Sequence, residues 1–326
     1  MPVVTNKSDS MYLSNLYKAK GIPVCVFGSS SYWNTEAVLL AGKKLKEKHS
    51  PSSPVVLVIA VTYLYKHMAQ CGRFTYSQNP QLGMMTFMHF LGDLCDGPHA
   101  PYGDIYILPH LDHADPIMDK WALTEGREYF SSVMFDAQSY QFDENLKMTA
   151  DYVRTYGNET VIEGIMDELT VSVSMAARKN APETTDLEYA KKAQSYIAAT
   201  GVDFIVADLG TEQQSTEAVS TGYLRDRARA LANVIGDTGV VLHGASSMPR
   251  AQLAAIGSDG ISRLNIWTRI VRESCAHAAD RLENRRQKVG IGDFEATDSK
   301  AYLYDCVEKA SEIMLDTMEL VGYTRL

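Results

Sequence analysis

The chain has 326 residues, 45% of them hydrophobic and 22% charged, with a formal net charge of -9. That length fits two average domains or one large barrel, and the balance is that of an ordinary globular protein. The acidic charge argues against general nucleic-acid binding, and no apolar run approaches the ~20 residues that span a bilayer. The five cysteines (Cys25, Cys71, Cys95, Cys275 and Cys306) are odd in number and lack a C-x-x-C spacing. They predict reduced thiols in a cytoplasmic protein, not a disulfide framework. Met1-Pro2-Val3-Val4-Thr5 carries no signal-peptide pattern.

In chain order, Ser8 to Lys20 reads as an amphipathic helix capped by Asp9 or Ser10. Val24–Phe27 reads as a strand, and Asn34 to Lys48 as a helix whose lysines form a solvated face. Ser50-Pro51-Ser52-Ser53-Pro54 is a turn, and Val55–Val61 is a continuous apolar strand of the kind buried on both faces. A Met- and Phe-rich helix over Gly83–Asp93 offers core or subunit contacts. Asp104–Leu108 is strand three, Val133–Phe135 strand four, Glu144–Tyr156 a helix and Val161–Ile165 strand five. Asp167 to Thr185 reads as a long polar loop, the kind that carries function or moves. Then come a helix (Asp186–Thr200), strand six (Phe204–Ala207), a helix (Thr221–Gly236), strand seven (Val240–Leu242) and strand eight (Ile261–Ile266). Further helices run to Gln287 and from Tyr302 to Gly322.

Eight alternating strand–helix units predict a single domain over residues 1–326, a (β/α)8 TIM barrel with extra terminal helices at 8–20 and about 268–322. Strand three runs into His110-Leu111-Asp112-His113-Ala114-Asp115, two imidazoles and two carboxylates in six residues. Such a strand terminus suits metal-assisted or acid/base chemistry; the plainer reading is a polar strand end with a capping Asp. Asp136, Glu163, Glu212, Gln213, His243 and Asn265 also fall at strand ends, which a barrel gathers on its C-terminal face.

From Leu16 to Tyr323 the chain resembles the class II, metal-dependent ketose-bisphosphate aldolases. The marks are His110-Leu111-Asp112-His113, Phe130–Asp136 with Phe142-Asp143-Glu144-Asn145, Thr200-Gly201-Val202-Asp203, Leu242-His243-Gly244, and Asn265-Ile266 with Thr268. The resemblance implies a lyase of carbohydrate metabolism that makes or breaks a C–C bond next to a ketone, with zinc stabilising the enediolate. It implies Asp112 as general acid/base, His113 and His243 as first and third metal ligands, and Asn265 as a substrate contact. Gly244, Ser246 and Thr268 fall where the family binds a phosphate. Asp136 and Glu163 read as carboxylates behind the ligands. The resemblance also implies a homodimer or homotetramer acting on a small carbonyl compound or sugar phosphate.

The chain departs from the family at the site itself. The second ligand histidine falls on Gln213 and the glycine after it on Gln214; Glu212, one residue earlier, is a possible replacement ligand. A two-His, one-carboxylate set suits manganese or iron as well as zinc. The family's Gly-Gly-Ser-Gly becomes Gly244-Ala245-Ser246-Ser247, its aspartate after Asn-Ile becomes Trp267, and Arg269 stands where an acidic residue is usual. Strand five keeps Glu163 and loses a second carboxylate, and Glu168 and Glu183 are stand-ins for a loop acid/base. These changes predict an altered pocket on a kept scaffold. The alternative is a metal-free sugar-phosphate-binding or regulatory barrel without aldolase activity.

Overall fold

The computed structural model describes residues 2–167, 169, 184–213, 222–297 and 299–326, side chains at 297 and 299–303 excepted. Among these, eight parallel strands close into a barrel in chain order. They are β1 (Val24–Gly28), β2 (Val56–Thr62), β3 (Tyr106–Ala114), β4 (Ser132–Phe135), β5 (Val161–Ile165), β6 (Phe204–Val206), β7 (Gly239–Leu242) and β8 (Ile261–Ile266). β8 pairs back onto β1, so no edge is left open. The long helices are α1 (Lys7–Ala19), α2 (Tyr32–His49), α3 (Pro80–Cys95), α4 (Phe142–Tyr156), α5 (Asp186–Thr200), α6 (Arg225–Val234), α7 (Thr268–Gly290) and α8 (Ser299–Val321). This is the expected (β/α)8 barrel with added terminal helices. No helix among the described residues is long and apolar enough to cross a membrane.

Local chemistry sets the boundaries, and several differ from the sequence expectation. α1 starts at Lys7 because Asn6, not Asp9 or Ser10, is its cap: Asn6 Oδ1 accepts from Asp9 N at 2.9 Å. α3 starts three residues before Gly83, at the Asn79-Pro80 pair that caps it and presets its first turn. α5 matches its expected span, fixed by a Thr185–Glu188 capping box and by Gly201 in the left-handed region, φ 73°. α6 is shorter than expected, and Thr221 lies outside the described residues, as do Gln214, Glu168, Glu183 and most of 167–185. The Met- and Phe-rich α3 buries Met84, Phe87 and Leu91 and leaves Leu82 exposed.

The main correction concerns β3. It does not stop before the His-x-Asp-His motif; it carries the motif and ends at Ala114. Its register against β4 shifts between Leu111 and Ala114, and His113 sits at φ 48°, in the left-handed region that non-glycine residues enter uncommonly and histidine more often than most. Side chains alternate along a strand, so Asp112 and His113 would face opposite ways in a regular one. The bulge turns His113 back, and both side chains reach the barrel mouth.

Below the mouth, α8 packs on α2 and α7. At the far end Tyr323 Oη accepts from Cys25 N at 2.9 Å and donates to Val56 O at 3.0 Å, tying the C-terminus to β1 and β2.

Candidate active site

His113 from β3, His243 one residue past β7, and Asp112 place one donor atom each within 4.8 Å of one another. The two rings stand 5.1 Å apart and nearly perpendicular. Gln213 completes the ring of groups: its Nε2 lies 3.2 Å from His113 Nε2 and 3.3 Å from His243 Nδ1. Glu212 is buried but does not join this cluster. Its backbone packs under Gly244, where a Cβ would come within 2.7 Å of the Glu212 carbonyl and where φ is 70°. That turn requires glycine and leads Ser246 to the cavity wall beside Thr268.

The orientation of His113 is fixed from behind. Asp136 Oδ2 lies 2.7 Å from its Nδ1, and Gln138 donates to Asp136 through its side chain at 2.8 Å. An imidazole that donates Nδ1–H to a carboxylate presents the Nε2 lone pair forward, the arrangement metal-bound histidines use. The Tyr65 ring stacks on His113 with centroids 4.4 Å apart and planes 10° apart, and its hydroxyl points at Gln213 Oε1 from 3.5 Å. On the other ring, Asn265 Nδ2 is 3.0 Å from His243 Nε2.

Burial and charge oppose each other here. Burial alone would raise the Asp112 carboxyl, but the facing imidazoles, His113 foremost, hold it below the usual carboxylate range. Burial lowers His113, and the charges of Asp112, Asp136 and Glu163 outweigh it and push the ring upward. His243 lacks such a bonded carboxylate; burial carries it down to about 4 against the pull of Asp112. Asp136 lies below its ordinary value because, against burial, the bond to His113 dominates.

Glu163 is not at the strand end as expected. It lies inside the barrel, one layer down, against Arg263 of β8, both side chains essentially inaccessible. Arg263 also donates to Ser132 Oγ at 3.1 Å and lies 4.1 Å over the Phe204 ring. His110 stands between this pair and the mouth, its Nε2 3.6 Å from Glu163 and 3.7 Å from Asp112, beyond hydrogen-bond length. Arg263 was not anticipated; the signal was an arginine in phase with the inward residues of Ile261-Ser262-Arg263-Leu264-Asn265-Ile266.

The cleft has an empty volume of about 580 Å³ measured to its open mouth. Its lining combines polar groups, Asp112, His113, Gln213, His243 and Asn265, with apolar ones, Val26, Ala60, Met68 and Trp267. Trp267 rests on Gly28, where a Cβ would fall 2.7 Å from its Cε3. Arg269 turns to Glu273, 3.0 Å away and one helical turn on.

The family model for class II fructose-bisphosphate aldolase matches residues 16–325. A fructose-bisphosphate aldolase of Giardia intestinalis is 30% identical over 167 residues, covering 50% of this chain and 49% of that protein. A 6-phospho-5-dehydro-2-deoxy-D-gluconate aldolase of Shouchella clausii is 31% identical over 199 residues, covering 57% of this chain and 60% of that one. The chain thus spans between half and three-fifths of the length of these relatives. Among solved structures, the Campylobacter jejuni fructose-bisphosphate aldolase superposes with a TM-score of 0.73 at 16% identity, over 98% of this chain and 95% of that one. The YdjI aldolase of Escherichia coli K12 gives 0.65 at 17% identity, over 96% of each. At these identities the superpositions establish a shared fold.

Proposed function

Because the chain belongs to the class II fructose-bisphosphate aldolase family, we propose that its barrel mouth is an aldolase-type lyase site, making or cleaving a C–C bond next to a ketone. The observation that supports this best is the convergence of Asp112, His113 and His243 from two separate strands. Two imidazole nitrogens and a buried amide face one point, which fits a divalent cation. His113, His243 and Gln213 would hold it; Glu212, buried beside Gly244, is the less favoured ligand. Zinc suits two imidazoles best, with manganese or iron as the other choices. A cation there supplies Lewis-acid polarisation of a ketone carbonyl.

This chain's own groups do the rest. Asp112, kept ionised by its imidazole neighbours, accepts a proton from the hydroxyl next to the breaking bond and returns it in the reverse direction. Asp136 holds the His113 ring in place. Asn265 offers an amide to a substrate hydroxyl or carbonyl, and Gly244, Ser246 and Thr268 form the rim for a phosphate. The substrate is a ketose or ketose phosphate, with the apolar Trp267 wall altering the pocket. Glu163 supports the layer below. We read residues 1–326 as one domain of a cytoplasmic homodimer or homotetramer. The thiols are free and α3 presents Leu82 outward.

The test is aldol cleavage of a panel of ketose phosphates by the purified protein, with metal analysis and chelation. One bound divalent ion, turnover lost on chelation and turnover lost in a folded Asp112→Ala protein are expected. Turnover that persists in Asp112→Ala would remove Asp112 as proton carrier. The second reading, a metal-free sugar-phosphate-binding or regulatory barrel, has Gln213 in its favour; no ion and no cleavage, with sugar phosphate still bound, would select it.

A further inference from the structure

We infer that the Gln213 side-chain amide stands in for the cation when none is bound, so that the site closes on itself and takes a divalent metal weakly and reversibly. This rests on the lyase reading above only in placing the cation between His113 and His243.

His113 donates Nδ1–H to Asp136, so above the raised pKa of this ring, where it is neutral, Nε2 carries a lone pair. His243 has amide nitrogens at both ends, Gln213 at Nδ1 and Asn265 at Nε2. A neutral imidazole cannot accept at both nitrogens, so one amide must be turned. Asn265 Oδ1 is buried and has no partner among the described residues, whereas Gln213 Oε1 faces the Tyr65 hydroxyl. A half-turn of Asn265 therefore pairs its Oδ1: Oδ1 accepts from His243 Nε2–H, and Nδ1 of His243 becomes the acceptor.

Both imidazole lone pairs then aim at one NH₂ group. Gln213 Nε2 carries two hydrogens and lies 3.2 and 3.3 Å from the two acceptors. The amide can bridge them as a cation would, leaving neither buried nitrogen unpaired. A metal entering the same place must break both hydrogen bonds. With Asp112 kept for proton transfer, it gains a third protein ligand from Gln213 only if the amide rotates to present Oε1, giving up the Tyr65 contact. Two imidazoles and a neutral amide oxygen hold a borderline divalent ion less firmly than three imidazoles or two with a carboxylate. A histidine at 213 could not bridge the metal-free rings this way, because a neutral imidazole has one N–H.

Zn²⁺ binding measures this directly, by competition with a chromophoric chelator on the full chain. Wild type is expected to bind one Zn²⁺ that dialysis against chelator removes. Gln213→His should bind ~100-fold tighter, and Gln213→Glu, closer in shape and safer for folding, at least ~10-fold tighter. If wild type binds as tightly as either folded variant, the amide substitution is overturned and the lyase reading stands. If neither wild type nor either variant binds Zn²⁺, both fall. As a second readout, Zn²⁺ should shift the Gln213 side-chain NH₂ resonances in ¹H–¹⁵N spectra; resonances that stay put at saturating Zn²⁺ would also overturn the inference.

Discussion

Asp136 Oδ2 lies 2.7 Å from His113 Nδ1, and this contact decides which nitrogen of His113 faces the barrel mouth. Replacing Asp136 by Asn keeps the shape and removes the charge. The dissociation constant for Zn²⁺ should rise ~10–100-fold, as for other outer partners of ligating histidines. Chelator competition checks it, and an unchanged constant would detach Asp136 from the site.

Arg263 and Glu163 neutralise each other in a layer without solvent. Glu163→Leu leaves a guanidinium buried and unpaired, and should lower stability by ~3–5 kcal/mol. Arg263→Met added to it should restore a large part, since two apolar groups tolerate the layer. Urea unfolding of the two variants provides the comparison; a double variant no more stable than Glu163→Leu would show that the charges are not coupled.

Asp119 is fully buried and accepts from Leu64 N at 2.9 Å and Asp115 N at 2.8 Å. Burial raises its carboxyl to about 6, the two backbone N–H groups pull it down, and the charges of Asp115 and Asp136 push it up. Its folded value is above the unfolded one near ~3.9. Between these values the folded chain holds a proton the unfolded chain has lost, so this group's contribution falls as pH rises from ~4 to ~6. The stability advantage of wild type over Asp119→Asn should shrink by about 2–3 kcal/mol between pH 4 and pH 7. A pH-independent difference would place the Asp119 value near that of an ordinary carboxyl.

Gly28 leaves room for the Trp267 ring, and a Cβ there would meet it at 2.7 Å. Gly28→Ala should cost ~1–3 kcal/mol, the usual range for overpacking. In a Trp267→Ala background the same change should cost much less, so the thermal denaturation cycle should show positive coupling. Additive effects would mean that the ring moves aside freely.

The scaffold was open to sequence reading because burial on both faces makes parallel strands continuous apolar runs. β5, β8 and α5 have the predicted ends, each opened by a polar or glycine residue: Thr160, Gly260 and Thr185. The candidate site was legible where groups sit on strands or just past their ends: Asp112, His113, His243 and Asn265 all line the cleft. It was not legible where geometry breaks period. The bulge at His113 hides β3's true length, since a bulge is invisible to alternation. Choosing between Glu212 and Gln213 needs the direction of each side chain in an irregular segment, and spacing does not supply it. Tyr65 comes from a loop without periodicity, and only the stack on His113 reveals its part.

One peptide bond joins Asp112 to His113, and the kink that aims them together is anchored by pairing on both sides of β3. The spacing of those two groups can therefore barely drift while the barrel stays closed. The corner held by Gln213 lies beyond β6, outside the eight strands, and is tied to the barrel by side-chain contacts such as Thr211 Oγ1 donating to His243 O at 2.6 Å, not by a strand ladder on both sides. Natural variation in this site should collect there, changing how firmly an ion is kept while the proton-carrying side stays as it is.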